Sequence, residues 1–253
     1  MFKDWDAQYA QKGLKRAVYF LDGIRRFHEF KDKMTLDLGC GNGYQSIEAA
    51  KMGSAVVSLD IRYRFLKDFT GSRVFRERIN VVVADATRLP FRSDIFDVVF
   101  SYDLYEHVGC QGKLMDEKFR AARCGGLVSL VTGNRLFPVD RHSDLWFIDI
   151  LPRRLADVYV RRFRGWKGYD IHEPTFWSLR RELLRHTQRF VVVGEAVLEM
   201  FPRVYPETYG RLGAGLMVVL EAVVRLGLIK FFSPKYFVFA RKPRELPRDV
   251  HGE

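Results

Sequence analysis

Cysteine is scarce in this 253-residue chain: Cys40, Cys110 and Cys124 form no C-x-x-C pair and have no metal-ligand spacing. That argues against a disulfide framework and makes a reducing cytoplasm the expected home. The opening MFKDWDAQYAQKG lacks the apolar stretch of a secretory signal. No internal repeat and no Gly- or Ser-rich linker divides the chain, so one domain over residues 1–253 is expected. Long apolar runs are missing as well. The nearest candidate, LGAGLMVVLEAVVRLGLIKFF (212–232), meets Glu221, Arg225 and Lys230 too early for a span of about twenty apolar residues. Leu212, Leu216, Val219, Val223 and Leu226 lie opposite Glu221 and Arg225, which describes an amphipathic helix packed on a sheet. Acidic charge is in deficit: 42 Lys+Arg against 31 Asp+Glu leave a net +11. Such a balance favours polyanionic partners, namely RNA, anionic lipid or phosphorylated substrates.

What the chain does have is a rhythm of short apolar runs separated by helical segments. MTLDL (34–38), VVSLD (56–60), INVVVAD (79–85), FDVVFS (96–101) and LVSLVT (127–132) read as strands buried on both faces. YQSIEAAKMG and IRYRFLKDF read as helices between them. Right-handed crossovers then give an α/β, doubly wound sheet. FVVVGEAVLEM (190–200) and KYFVFARK (235–242) would extend it. EPTFWSLRRELLRHTQRF (173–190) reads as a helix with Glu173 in its first turn and Pro174 just inside. The stretch from Gly133 to Tyr169 is rich in Arg, aromatics and Pro, without clean periodicity.

Between the first strand and its helix stands D-L-G-C-G-N-G, with Gly39, Gly41 and Gly43 at alternate positions. Bare backbone there lets a ligand approach closely, with helix-start amides pointing at it. Asp37 precedes the loop, and a carboxylate would repel a pyrophosphate but attract an ammonium group. Asp60 ends the second strand, where an acid takes ribose hydroxyls. Asp85, in ADATRLPF, can accept from an exocyclic amine, with apolar neighbours to hold a purine face. Together these describe a nucleoside with a charged amino-acid tail.

On these residues, and on FDVVFSYDLYEHV (96–108), the chain over 34–132 resembles the class I S-adenosylmethionine-dependent methyltransferases. The resemblance implies a Rossmann-like, seven-stranded sheet, mostly parallel with an antiparallel last strand. It implies S-adenosyl-L-methionine as cofactor and S-adenosyl-L-homocysteine as product. Gly39 and Gly41 would line the methionine portion, with Asp37 near its ammonium group. Asp60 would bind the ribose, Asp85 the adenine amine and Ala86 the ring, while Ser101 and Tyr102 would sit beside the sulfonium. Residues 1–33 would form a helical cap, with Trp5 and Tyr9 over the cofactor.

On the acceptor side, a hydroxyl needs a base near neutral pKa, which points to histidine. His107, after the fourth strand, and His142, after the fifth, are the catalytic candidates; His28, His172, His186 and His251 read as surface or packing residues. Residues 133–152 are similar to a subgroup with a TPN…P.E.H…F…LP pattern: Asn134, Pro138, His142, Leu151 and Pro152 match, while Gly133 replaces Pro and Asp140 replaces Glu. That similarity implies hydroxyl or carboxyl acceptors. Asp103, Glu106 and His107, at i, i+3, i+4, could share a helical face and hold a divalent cation, although the reading adopted assigns no metal. Arg153, Arg154, Arg161, Arg162, Arg164 and Lys167 interleave with Tyr159, Phe163, Trp166 and Tyr169, which suits a lid over the acceptor pocket, RNA, or an anionic membrane surface. The expected activity is O-methylation of a small or carrier-linked metabolite of sugar, lipid or quinone type. The alternatives are an RNA or tRNA methyltransferase and a non-catalytic cofactor-binding module acting through a partner protein. The expected location is cytoplasmic, with peripheral membrane contact as a variant.

Overall fold

Strand β1 (Met34–Leu38) is buried along most of its length, and β2 (Ala55–Asp60) pairs with it in parallel, Thr35 against Val56 and Leu38 against Leu59. Strand β3 (Ile79–Val83) continues the sheet beyond β2, and β4 (Phe96–Tyr102) flanks β1 on its other side. Strand β5 (Ala122–Gly133) pairs in parallel with β4. Two further strands, β6 (Phe190–Val193) and β7 (Lys235–Arg241), complete a seven-stranded sheet of order β3-β2-β1-β4-β5-β7-β6, in which β7 runs antiparallel to both neighbours. The expected architecture is therefore present, including the antiparallel last strand. The order reverses between β1 and β4, and ligands of open α/β sheets bind outside the carboxyl ends of the strands at such a point. The computed structural model describes residues 2–62, 77–194 and 233–244, with side chains from Gln11 onward.

Helices cover both faces because both faces are apolar. On one, α1 (Phe2–Arg25) buries Phe20, Leu21 and Ile24, and α2 (Tyr44–Lys51) buries Ala49 and Ala50, against Val98, Phe100 and Phe237 of the sheet. Phe20 meets the rings of Phe100 and Tyr102 edge to face, with centroids 5.6 and 5.4 Å apart. Gly13 of α1 lies so close to the Tyr44 ring that a β-carbon would overlap it, so the N-terminal helix runs past the glycine loop. On the other face, α3 (Gln111–Ala121) supplies Leu114, Met115 and Phe119. A smaller core of Leu145, Ile148, Ala156, Val160, Tyr169 and Ile171 holds the segment after β5 together.

Three local expectations are corrected. The stretch after Gly133 contains a regular helix, α4 (Arg153–Arg164), whose only buried residues are Ala156 and Val160. Two inward positions one turn apart leave too weak a pattern among the arginines to be read. The next helix, α5 (Phe176–Leu184), starts later than Glu173. Thr175 caps it, accepting from Ser178 N, while Ser178 Oγ accepts from Thr175 N in a reciprocal capping box. The third strand stops at Val83, which leaves Asp85 in the following turn. The helical reading of IRYRFLKDF beyond Arg62, strand residues 195–200, the amphipathic segment 212–232 and the Trp5 and Tyr9 side chains lie outside the described residues. Among the described residues no helix is long and apolar enough to cross a membrane.

Candidate active site

The glycine loop leaves β1 with Gly39 N and Cys40 N both donating to Leu59 O, at 2.8 and 3.1 Å, which holds the turn against β2. Gly39, Gly41 and Gly43 have φ of +69°, +50° and +74°, a region L-residues avoid. Gly39 also needs to be bare because a β-carbon would lie 2.8 Å from Leu104 Cδ1. A β-carbon on Gly41, by contrast, would meet nothing within 4 Å. Gly41 thus faces open space where Gly39 does not.

The acids at the strand ends are held in different ways. Asp60 Oδ2 accepts from Gly41 N at 3.1 Å and Oδ1 from Arg62 N at 2.8 Å, which ties the second strand's end to the loop and fixes the carboxylate. Asp85 is exposed; its Oδ1 accepts from Thr87 N and Thr87 Oγ1, both at 2.8 Å, and these bonds lower its pKa. Its Oδ2 has no hydrogen-bond partner among the described residues. Ala86 beside it is buried. Asp37 is 1% exposed and lies at the end of a chain in which Ser58 Oγ donates to Ser46 Oγ and Ser46 Oγ to Asp37 Oδ2, each at 2.6 Å. Burial pushes the Asp37 pKa up to about 7, against the opposing pull of the Ser46 bond.

The structure separates Ser101 from this edge. Its hydroxyl is wholly buried and accepts from Lys118 Nζ at 2.7 Å, on the α3 side of the sheet. Lys118 also donates to Ser129 O at 2.8 Å, and burial lowers its pKa to about 7. Tyr102 is better placed: Leu38 pairs with Ser101, so Tyr102 stands opposite Gly39, its ring between Phe20 and Lys235 Nζ, the latter 4.7 Å from the ring centroid.

Beyond β4 the expected i, i+3, i+4 arrangement does not form. Residues Tyr105–His107 make a single 3-10 turn, and Asp103, at φ +53°, turns away to pair with Lys235 Nζ through both carboxylate oxygens. Asp103, Glu106 and His107 therefore do not share a helical face. Glu106 is buried, accepts from Thr132 Oγ1 at 2.8 Å, and has its pKa raised to about 7 by burial and by Asp103.

The two histidine candidates are brought together. The His107 and His142 rings meet edge to face with centroids 4.9 Å apart, joining the turn after β4 to the loop after β5. His107 is exposed, and burial of part of its ring together with His142 lowers its pKa, so the imidazole is neutral near pH 7. His142 Nδ1 lies 3.2 Å from Asp140 Oδ1, and that buried carboxylate raises its pKa against the effect of desolvation. Asp140 Oδ2 accepts from Ser143 N at 2.6 Å, which fixes the carboxylate that orients His142.

Several acids near this pair gave little sign in the sequence. Glu173 is 9% exposed, packs on Gly133 and has no hydrogen-bond partner among the described residues. Burial and the neighbouring Asp149, Glu106 and Asp140 raise its pKa well above the usual range. Asp149 accepts from Tyr169 Oη and has its pKa raised to about 6 by burial. Two sets, Glu106/His107/His142 and Asp140/His142/Glu173, bring ligand atoms within 4.8 Å of one another. Glu106 is singled out by the sequence beside His107, and Asp140 within the pattern that holds His142, whereas Glu173 reads only as helix-start chemistry and Asp149 is not marked out at all.

Residues 36–130 match the family described as a methyltransferase domain. Among curated proteins, an uncharacterized methyltransferase of Mycolicibacterium vanbaalenii is 31% identical over 172 residues, 68% of this chain and 65% of that protein. The ubiquinone biosynthesis O-methyltransferase of Parvibaculum lavamentivorans is 32% identical over 124 residues, 48% of each chain. The matched stretches thus span less than two thirds of those relatives' lengths. Among solved structures, a Haemonchus contortus phosphoethanolamine N-methyltransferase in complex with S-adenosylhomocysteine superposes with a TM-score of 0.58 at 18% identity, over 91% of this chain and 53% of that one.

Proposed function

We propose that the chain is a class I S-adenosylmethionine-dependent methyltransferase, on the match of residues 36–130 to the methyltransferase domain, and that it methylates a hydroxyl oxygen of a small or carrier-linked acceptor. The observation that carries this reading is the His107–His142 contact, with Asp140 behind His142. The residues at the carboxyl edge fit the cofactor. Gly41 offers open space beside backbone, Asp60 a fixed carboxylate for ribose hydroxyls, and Asp85 Oδ2 an acceptor for the adenine amine. Asp37, directly before the loop and engaged by Ser46, is the carboxylate that would meet an ammonium group. When bound, the cofactor supplies a methyl group made electrophilic by its sulfonium.

The rest is done by this chain's own side chains. A hydroxyl is a weak nucleophile, so its proton must leave as the new carbon–oxygen bond forms. Neutral His107 accepts that proton at whichever ring nitrogen faces the acceptor. His142, held by Asp140, orients His107 and stays positively charged over more of the pH range than an ordinary imidazole. The relative named for ubiquinone biosynthesis supports a hydroxyl acceptor of this kind. Incubating the purified chain with methyl-labelled S-adenosylmethionine and fractionated cell extract tests the reading. Label should enter a lipid-soluble or carrier-bound fraction, and His107→Ala should stop it. Label in RNA, or undiminished transfer by His107→Ala, contradicts it.

A further inference from the structure

Among the described residues, six large apolar side chains exposed to solvent fall between positions 146 and 163: Trp146, Phe147, Ile150, Leu155, Val158 and Phe163. They belong to one small unit. The turn at Ile148–Ile150 packs with α4, and both contribute to the core of Leu145, Ile148, Ala156 and Val160. That core explains the inward side of α4 and leaves the outward side to be accounted for.

At 3.6 residues per turn, Val158 stands opposite Ala156 and Val160, with Arg154 and Arg162 on either side of it, Arg161 beyond Arg154 and Leu155 beyond Arg162; all five are exposed. A solvated helix normally has its polar groups at the centre of the outward side. Here exposed Val158 and Leu155 alternate with the arginines across the outward side. The only acid in α4, Asp157, is engaged by Tyr169 N at 2.8 Å and lies 3.8 Å from Arg153, so the surface carries one sign of charge. At the start of the turn that packs with α4, the Trp146 and Phe147 rings lie 6.0 Å apart and half exposed, with Phe147 at φ +58°.

We propose that this face, α4 with the 146–150 turn, docks the protein on an anionic lipid surface. Leu155, Val158 and Ile150 enter the boundary between headgroups and acyl chains, while the arginine stems lie along it and carry their guanidinium groups to the phosphates. Trp146 and Phe147 sit at headgroup depth, where amphipathic rings are favoured. RNA explains the arginines and rings but gives no use to exposed Ile150, Leu155 and Val158, which gain nothing from phosphates. The docked unit is also tied to the candidate site, because Arg164 Nε donates to Ser143 O and Ser143 N donates to Asp140. Binding to lipid does not require methyl transfer, so its test is independent of the proposed activity.

The test is cosedimentation of the full chain with vesicles of equal phosphatidylglycerol and phosphatidylcholine at about 0.15 M salt, with pure phosphatidylcholine vesicles as control. The chain should pellet with the anionic vesicles and stay in solution with the neutral ones. Leu155→Ser/Val158→Ser and Arg154→Glu/Arg161→Glu should each weaken pelleting by about tenfold or more, the charge pair through lost phosphate attraction and the apolar pair through lost insertion. Both pairs are exposed, and unchanged thermal melts would show that the fold survives. Absence of pelleting, or equal pelleting of all three proteins, overturns the proposal. So does sensitivity to the charge pair alone with single-stranded RNA displacing the vesicles, which would make this a nucleic-acid surface.

Discussion

The carboxyl edge of β1–β3 and the segment from Gly133 to Glu173, proposed to receive the acceptor, are built by different means. The first is made of backbone: three glycines at positive φ, and a carboxylate, Asp60, fixed by two main-chain amides within 25 residues of sequence. The second is made of side chains from distant parts of the chain. Asp103 pairs with Lys235, 132 positions away, and Glu106, Asp140, Asp149 and Glu173 are buried among them. A backbone cradle fits one ligand and tolerates little change. A set of buried side chains can be exchanged residue by residue to suit a new acceptor.

If the two regions divide the labour in this way, substitutions in one should spare the function of the other. The largest effect is expected at His107→Ala, which should lower label transfer by roughly 10²- to 10⁴-fold, the range for loss of a general base, with S-adenosylhomocysteine affinity unchanged. If His107→Ala/His142→Ala keeps full biological function, the chain is a binding module without catalysis. Next, Asp60→Ala should weaken S-adenosylhomocysteine binding by roughly 10- to 100-fold, because two hydroxyl contacts to a charged acceptor are lost, with a loss of about 1–3 kcal/mol in the melt from the freed Gly41 and Arg62 amides. Gly133→Ala should cost stability alone. Its β-carbon would run into Glu173, so the melt should show a loss of about 1–3 kcal/mol with cofactor affinity near normal.

The smallest effect is a pH dependence that separates the regions by proton. Asp37, raised to about 7, is protonated at lower pH, and a cationic ligand favours its ionised form. Cofactor affinity should therefore rise with pH, by up to about tenfold between pH 6 and 8, and level off above. Titration calorimetry in buffers of different ionisation enthalpy should detect the released proton. Asp37→Asn should bind with a flat profile. Transfer should instead fall as acid protonates His107, below the ordinary histidine range, because its folded pKa is lowered.

The glycine loop and the acids at the strand ends were legible in the sequence and the side-chain cluster after β5 mostly was not, for the same reason. Gly39, Gly41, Asp60 and Asp85 follow their strands at fixed spacings, so local sequence carries their geometry. Position did not reveal direction, however. Ser101 stands at the right height on β4 but points to Lys118 on the other face. Glu173 was read as helix-start chemistry because it precedes Pro174; the helix is capped by Thr175, and Glu173 is released to face Gly133. The Asp103, Glu106 and His107 spacing suggested a helix, whereas Asp103 at positive φ and the ion pair with Lys235 break it after one turn. Each failure depends on a partner remote in sequence.

The central claim is that the carboxyl edge of β1–β3 holds an adenosyl amino acid. Calorimetric titration of the purified chain with S-adenosylhomocysteine tests it most directly. The account predicts saturable one-to-one binding that survives His107→Ala and is severely weakened by Asp60→Ala. Absence of binding by the unmodified chain, or binding indifferent to Asp60→Ala, would contradict it.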